Sequence, residues 1–379
     1  MIWVTRWGLE ATVHQDPSGD GLVPPPRPAG ELPVVPGSAL GIIANPMSGR
    51  DIRRLVAHAS VFPNAEKTNM VLRLVAAAGA LGVERVLVST DDFGVAGGVL
   101  RAARKRTGQD PGRWPRLDFC ELDTLTGTAE DTRRHVRRMR AQGAEVIIVL
   151  GGDGTVRAAA SELGDTALLP LSTGTNNAFP EMWEATVAGS AAALVATGRA
   201  DATRQAKVLH VECGDRREPA LVDVCVSTTA HVGARALWQV DELRELYCTF
   251  AEPHAIGLSS IAGQLLPTAR HDPVGVAIEL AGGRPSSQTV LAPIAPGRIV
   301  AVEVADARPL PLGQRRVSAT PAGTVAVDGE RELEFGPGTP VAVTLSDQGP
   351  RVVDVRSVLE AAARQRLLTP PPPLSPRPS

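Results

Sequence analysis

From residue 39 to about residue 200, short apolar runs alternate with segments of helical periodicity. The runs 40–44, 85–89, 117–122, 146–150 and 167–171 read as strands. The stretches 65–81, 95–106, 128–141 and 154–163 between them read as helices, the third opening on Thr128 with Asp131 three residues later, a capping arrangement. Such alternation predicts a parallel sheet with helices on its faces. Beyond residue 200 the texture changes to short β-branched runs separated by glycine and proline. Strands are predicted at 207–212, 220–227, 274–280, 289–294, 299–305, 323–327 and 341–345. Helix is predicted there at 233–247, with 256–265 as a second candidate, and a last helix at 358–368. The fold class is therefore an α/β N-terminal domain with a parallel sheet, followed by a β-rich, sandwich-like C-terminal domain.

Proline-rich ends frame this body. Pro24-Pro25-Pro26 lies in the first, and residues 370–379 form the second, compositions that pack no core and stay extended. The division is 1–38 as extension, 39–200 and 201–357 as domains, 358–368 as a closing helix and 369–379 as tail. At 379 residues the chain exceeds the size at which single cores stop growing, in keeping with two domains. Hydrophobic residues make up 43% of it but aromatic ones only 3%, so Ala, Val and Leu must fill the core.

A formal charge of −2 argues against nucleic acid or an anionic membrane as partner, and leaves phosphate attraction to local features. The four cysteines (Cys120, Cys213, Cys225, Cys248) form no Cys-x-x-Cys pair, which predicts buried reduced thiols and a cytoplasmic protein. No run approaches the ~18 apolar residues of a membrane helix, so integral membrane association is not expected. His210, His231, His254 and His271 show no metal spacing.

Candidate chemistry sits where strands break into glycine. Residues 146–155 pass from Val-Ile-Ile-Val-Leu to Gly151-Gly152-Asp153-Gly154-Thr155. Glycines there let backbone N–H groups approach phosphate oxygens, and the strand's carboxyl end is where open α/β sheets bind ligands. The plainer reading is a glycine turn with Asp153 as a helix cap. Similar turns follow the first strand, at Asn45-Pro46-Met47-Ser48-Gly49, and the fifth, at Ser172-Thr173-Gly174-Thr175-Asn176-Asn177, so three could converge on one crevice. A further carboxylate pair, Asp328-Gly329-Glu330, is either a hairpin turn or part of the site.

Asn45-Pro46-x-Ser48-Gly49, Gly151–Thr155 and Thr173-Gly174-Thr175-Asn176-Asn177-Ala178-Phe179 together resemble the NAD kinase and diacylglycerol kinase superfamily. Gly49–Arg54, Glu66-Lys67-Thr68-Asn69-Met70 and Val232–Trp238 are most similar to its acetoin-catabolism protein X type of ATP-NAD kinase member, over roughly residues 39–368. The resemblance implies a nucleotide-binding first domain, a substrate-binding second domain, and ATP with Mg²⁺ as cofactors. It implies phosphoryl transfer to a hydroxyl, with NAD as the leading acceptor. The alternatives are a lipid or small acetoin-pathway metabolite as acceptor, or a nucleotide sensor without turnover.

Asp153, Asp328 and Glu330 are then the candidate catalytic residues, and Asp153 and Asp328 the candidate metal ligands. Asn45, Ser48, Gly49, Gly151, Gly152, Gly154, Thr155, Thr173, Gly174, Thr175, Asn176 and Asn177 are the candidate nucleotide contacts. Asn176-Asn177-Ala178-Phe179 departs from the Asn-Glu pair of NAD kinases toward the Asn-Asp-Phe of lipid-type members, so the acceptor stays open. Thr320-Pro321-Ala322-Gly323 is a faint match to a further NAD kinase motif. A homo-oligomer is compatible with all of these readings.

Overall fold

A computed structural model describes residues 31–48, 62–106, 112–173, 177–229 and 240–369. The first half alternates as its pattern predicts. Strand β1 (Val35–Ala44) leads to α1 (Asn64–Ala80), β2 (Val83–Ser89), α2 (Val95–Lys105), β3 (Arg116–Cys120) and α3 (Ala129–Ala141). Then follow β4 (Val146–Gly151), α4 (Asp153–Ala160), β5 (Ala167–Ser172) and α5 (Ala185–Ala196). Two short strands complete this sheet, β6 (Thr203–Gln205) and, from the far end of the chain, β18 (Arg351–Val353), to give the order β3-β2-β1-β4-β5-β18-β6. All neighbours pair in parallel except β18 with β6.

Sequence chemistry explains the local choices. Thr128 caps α3 by accepting the Glu130 N–H, while Asp131 reaches back to the N–H groups of Thr126 and Gly127. Glu130 and Asp131 begin that helix and Arg138 and Arg140 end it, matching its dipole. Alternate residues of the central strands bury on opposite faces. Leu40, Ile42 and Ile148 meet α1 and α5, whereas Ile43, Ile147 and Val149 meet α3 and α4. Gly41 permits the second contact, because a Cβ there would lie 2.8 Å from the Met139 sulfur.

Helix α5, which the periodicity did not predict, is Ala-Thr-Val-Ala-Gly-Ser-Ala-Ala-Ala-Leu-Val-Ala and is buried along most of its length. A helix apolar on nearly every side carries no amphipathic stripe to detect. Its small residues serve close packing: a Cβ on Gly189 would stand 3.1 Å from the Leu74 Cα of α1.

The second half holds two antiparallel sheets. Strands β7 (Val208–Cys213), β8 (Arg216–Ala220), β9 (Asp223–Ser227), β10 (Leu243–Cys248), β11 (Val274–Leu280) and β12 (Gln288–Ala295) come first. After them run β13 (Arg298–Pro311), β14 (Arg315–Val317), β15 (Gly323–Val327), β16 (Glu330–Phe335) and β17 (Val341–Ser346). They assort into β12-β13-β11-β10-β9-β15-β16 and β14-β17-β7-β8. Leu209, Val211, Val224, Val325 and Val343 fill the space between the sheets, and helix α6 (Ser259–Leu265) covers the opposite face of the larger one. The result is the expected α/β lobe with a mostly parallel sheet beside a lobe of antiparallel strands. Helix α7 (Val355–Arg364) returns to the first lobe, where Val355, Val358 and Ala362 join its core.

Two expectations need correction. Helix was predicted over 233–247; residues 230–239 lie outside the described set, but Leu243–Cys248 is a strand between β9 and β11. Leu243 and Leu246 mimic a helical i, i+3 pair, and the sheet contacts overrode it. The run 220–227 divides into the end of β8 and β9, because the N–H groups of Leu221, Val222 and Asp223 all donate to the Asp328 carboxylate. The extension before residue 31 and the tail from 370 also lie outside the described residues.

Candidate active site

The first sheet reverses its winding between β1 and β4, since β2 and β3 lie on one side and β5 on the other. A crevice opens at the carboxyl ends of strands at such a point. Both glycine-rich turns leave the sheet there, joined by the Asn45 N–H donating to the Leu150 carbonyl at 2.9 Å. Asn45 Nδ2 donates to Thr155 Oγ1 at 2.7 Å, and its Oδ1 accepts the Met47 N–H at 2.8 Å. The Ser48 and Thr173 hydroxyls share a hydrogen bond of 2.8 Å, and the Thr173 N–H donates to the Gly151 carbonyl.

Asn177 closes the circle. Its Nδ2 donates to Ser172 Oγ at 2.8 Å, and its Oδ1 lies 2.8 Å from where a Cβ on Gly152 would be, so a side chain at that glycine would displace the Asn177 amide. The fold thus brings Asn45, Ser48, Gly151, Gly152, Gly154, Thr155, Thr173 and Asn177 together, while Gly49, Gly174, Thr175 and Asn176 lie outside the described residues. Gly152 is the N-cap of α4, whose first-turn N–H groups have no acceptor within the helix. That end of the helix suits an anion.

Asp153 opens α4 at this edge. Its carboxylate accepts the N–H of Phe179 at 2.8 Å and that of Ala178 at 3.0 Å. These bonds fix its orientation. Glu330, the first residue of β16, approaches from the other lobe: its Oε1 lies 3.5 Å from the position of a Cβ on Gly154. Among the described residues Glu330 makes no hydrogen bond or ion pair, and it is partly exposed.

Asp328 occupies a different place from Glu330. Asp328 and Gly329 form the two-residue loop between β15 and β16, with φ of +50° and +77°, so the hairpin reading of Asp-Gly holds. The Asp328 side chain is 0% exposed and stands 3.6 Å from Arg157 Nε on α4, one turn beyond Asp153. Burial pushes its carboxyl up to about 7; the Asp153 charge adds to that rise, and Arg157 with the Leu221 and Val222 N–H groups opposes it. Its Oδ1 accepts the Leu221, Val222 and Asp223 N–H groups, and its Oδ2 faces the Leu221 N–H and the Arg157 charge, a buried setting beside a cation that does not favour a metal ion.

Three residues escaped the sequence reading. Lys67, 0% exposed, donates from Nζ to the carbonyls of Asn45 at 2.9 Å, Pro46 at 3.2 Å and Ser48 at 2.9 Å, holding the first turn in place. It lies inside the Glu66–Met70 stretch that carries part of the resemblance, but nothing local marks its lysine as buried. Arg157 falls four residues after Asp153, a spacing that would put both on one helix face. Arg270, from the second lobe, donates to the carbonyls of Ala178 at 2.6 Å and Phe179 at 2.8 Å, and no local signal could reveal it.

Residues 40–200 match the ATP-NAD kinase N-terminal domain family, and residues 207–348 match the Acetoin catabolism protein X C-terminal domain family. Acetoin catabolism protein X of Cupriavidus necator is 45% identical over 337 residues, covering 87% of this chain and 93% of the relative. The chain belongs to the acetoin catabolism protein X family. A solved structure of yeast NADH kinase complexed with NADH is similar over 91% of each chain, at 15% identity and a TM-score of 0.46.

In this acetoin catabolism protein X family member the crevice draws on both matched regions. Its turns and Asp153 belong to the kinase-type region, and Arg270, Asp328 and Glu330 to the C-terminal family domain. The four cysteines are buried free thiols. Among the described residues no helix is long and apolar enough to cross a membrane, and no three His, Cys, Asp or Glu residues cluster in a metal-holding group.

Proposed function

We propose that the protein transfers the terminal phosphoryl group of ATP to a hydroxyl of a small acceptor, with NAD as the leading acceptor. The observation that carries this reading is the meeting of Asp153 and Glu330, from different lobes, on one glycine turn at the sheet's switch point. A hydroxyl is a weak nucleophile and needs a base, while the transferring phosphoryl needs its charge offset by fixed donors. The turn N–H groups and the start of α4 supply donors. Asp153 already accepts two N–H groups beside the phosphate turns, so we assign it to the phosphate side. Glu330 has its lone pairs available, so we assign it to taking the acceptor's proton.

Mg²⁺ fits a partly exposed carboxylate with phosphate oxygens completing its shell, which Asp153 satisfies and Asp328 does not. When bound, the ion would neutralise charge on the transferring phosphoryl. Lys67, Asn45 and Thr155 keep the phosphate turns in register, and Arg270 keeps the backbone behind Asp153 in place.

The kinase-type match over 40–200 supports NAD as acceptor. A second reading, another hydroxyl compound, is favoured by Glu330 belonging to a C-terminal domain of its own family rather than to a NAD kinase one. The deciding experiment incubates purified protein with Mg-ATP and NAD, NADH, diacylglycerol or acetoin-like hydroxyl compounds. NADP formation supports the leading reading. ADP release with only another acceptor moves the activity to that acceptor, and no ADP release with any of them leaves a nucleotide-binding protein without turnover.

A further inference from the structure

Behind the crevice, where the first sheet meets the second lobe, lies a cavity of about 470 Å³. Its walls are Leu169 and Pro170 of β5, Val353 of β18 and the rings of Phe179 and Phe250. One end is the first turn of α7, Val355 to Ser357, with Arg204 beside it. Neither Glu330 nor any of residues 151–155 lines it. The volume falls in the ~300–1,000 Å³ range of sites for small organic ligands.

The lining joins an apolar wall and a helix end through a charged stretch, in which Arg270 pairs with Glu252 at 3.2 Å and lies 3.8 Å from Glu181. Leu169, Pro170, Phe179, Phe250 and Val353 make an apolar wall suited to a flat or compact body. At the α7 end, Asp354 caps the helix by accepting the Ser357 N–H at 2.8 Å and pairs with Arg204 at 2.8 Å; Val355 and Arg356, whose first-turn N–H groups have no acceptor within the helix, line that end of the cavity. Arg356 is exposed there and makes no ion pair among the described residues. An anionic group is the complement of that end.

The cavity and the crevice share one piece of backbone. The N–H groups of Ala178 and Phe179 hold Asp153, and their carbonyls are held by Arg270, which lies 4.3 Å over the Phe250 ring in the cavity wall. The loop bearing Arg270 is itself pinned, since Lys207 Nζ donates to the carbonyls of Ala269 at 3.2 Å, Asp272 at 2.7 Å and Val274 at 2.6 Å. A molecule resting on Phe250 and Arg270 therefore stiffens the strap that orients Asp153.

We propose that this cavity is a second ligand site, for a small organic anion with a flat or compact apolar body, whose occupancy is transmitted through Arg270 to the backbone holding Asp153. Binding there does not depend on phosphoryl transfer; only its regulatory meaning rests on the activity proposed above.

The test uses 1-anilinonaphthalene-8-sulfonate as probe on the full chain, because Trp183 lines the cavity and can transfer excitation to it. Saturable one-to-one binding with transfer from tryptophan is expected, with Trp183→Phe reducing the transfer but not the binding. Arg356→Glu, an exposed charge reversal, should weaken binding by about tenfold or more with an unchanged melting temperature. In the wild type the probe should slow hydrogen exchange at the amides of Ala178 and Phe179. Equal affinity in Arg356→Glu, or exchange at those two amides indifferent to the probe, overturns the proposal. None of these readouts involves turnover, so a protein that binds the probe as described but transfers no phosphate refutes the proposed activity and leaves this site standing.

Discussion

Two aspartates that look alike in the sequence, each beside glycine in a turn, have opposite environments. Asp153 stands at the crevice with two N–H donors, whereas Asp328 is sealed behind it against Arg157. Loss of the first carboxylate should cost chemistry: Asp153→Asn is expected to lower turnover by about 10²-fold with an unchanged unfolding midpoint, because the amide oxygen can still accept the same N–H groups. Near-normal turnover would remove Asp153 from the mechanism. Asp328 should instead show in stability against pH. Its folded-state value of about 7 is above the usual 3.8, so the folded protein holds the proton more tightly and loses stability as pH rises between those values. The wild type should therefore lose on the order of a few kcal/mol relative to Asp328→Asn between pH 4 and 8. Denaturant titrations at both pH values check this, and a constant difference would show that the carboxyl titrates normally. The turn chemistry at Asp328 was legible from Asp-Gly, but its burial was not, since the donors that receive it are 105 to 107 positions away.

At the scale of elements, the strand-to-glycine breaks were the most legible feature, because apolar run, turn and helix start are all local. The described residues of the three turns meet at one crevice, through Asn45 with Thr155 and Ser48 with Thr173. What joins them was hidden: Lys67 sits on α1 with its ammonium under the Asn45–Ser48 turn. Lys67→Met keeps the approximate length and packing of the side chain but takes the ammonium donor from the carbonyls of Asn45, Pro46 and Ser48, of which Asn45 keeps the Ser48 hydroxyl and N–H. A loss of about 3 kcal/mol in denaturant unfolding is expected, along with a raised KM for ATP. An unaltered KM would mean that the turn keeps its position without the lysine. Helix α5 and strand β10 were misread for opposite reasons. The alanine-rich helix has too little polar contrast to show a period, and the strand carries a helix-like pair of leucines that only its sheet neighbours outvote.

Across the whole molecule, the contacts between the two lobes include two that sequence reasoning could not supply, Arg157 with Asp328 and Arg270 with the Ala178–Phe179 carbonyls. Both are contacts between residues far apart in the chain, and neither belongs to a recognisable local pattern. Arg270→Lys keeps the charge yet gives up the planar fork that reaches two carbonyls while stacking on Phe250. Turnover is expected to fall by about tenfold with little change in overall charge-dependent behaviour, as the Asp153 strap loosens. Steady-state kinetics at saturating ATP check it, and full activity would show that the strap is held by other contacts.

The return of β18 and α7 to the first sheet also bears on how the protein is born. A ribosome adding ~5–20 residues per second has finished β5 on the order of ten seconds or more before it delivers Arg351 to Arg364. Throughout that interval the nascent lobe has its glycine-rich turns but lacks the strand that pairs with β5 and the helix that covers α5. An open strand edge and bare alanine-rich surface are what aggregation and chaperones act on. The lobe synthesised first is thus completed last.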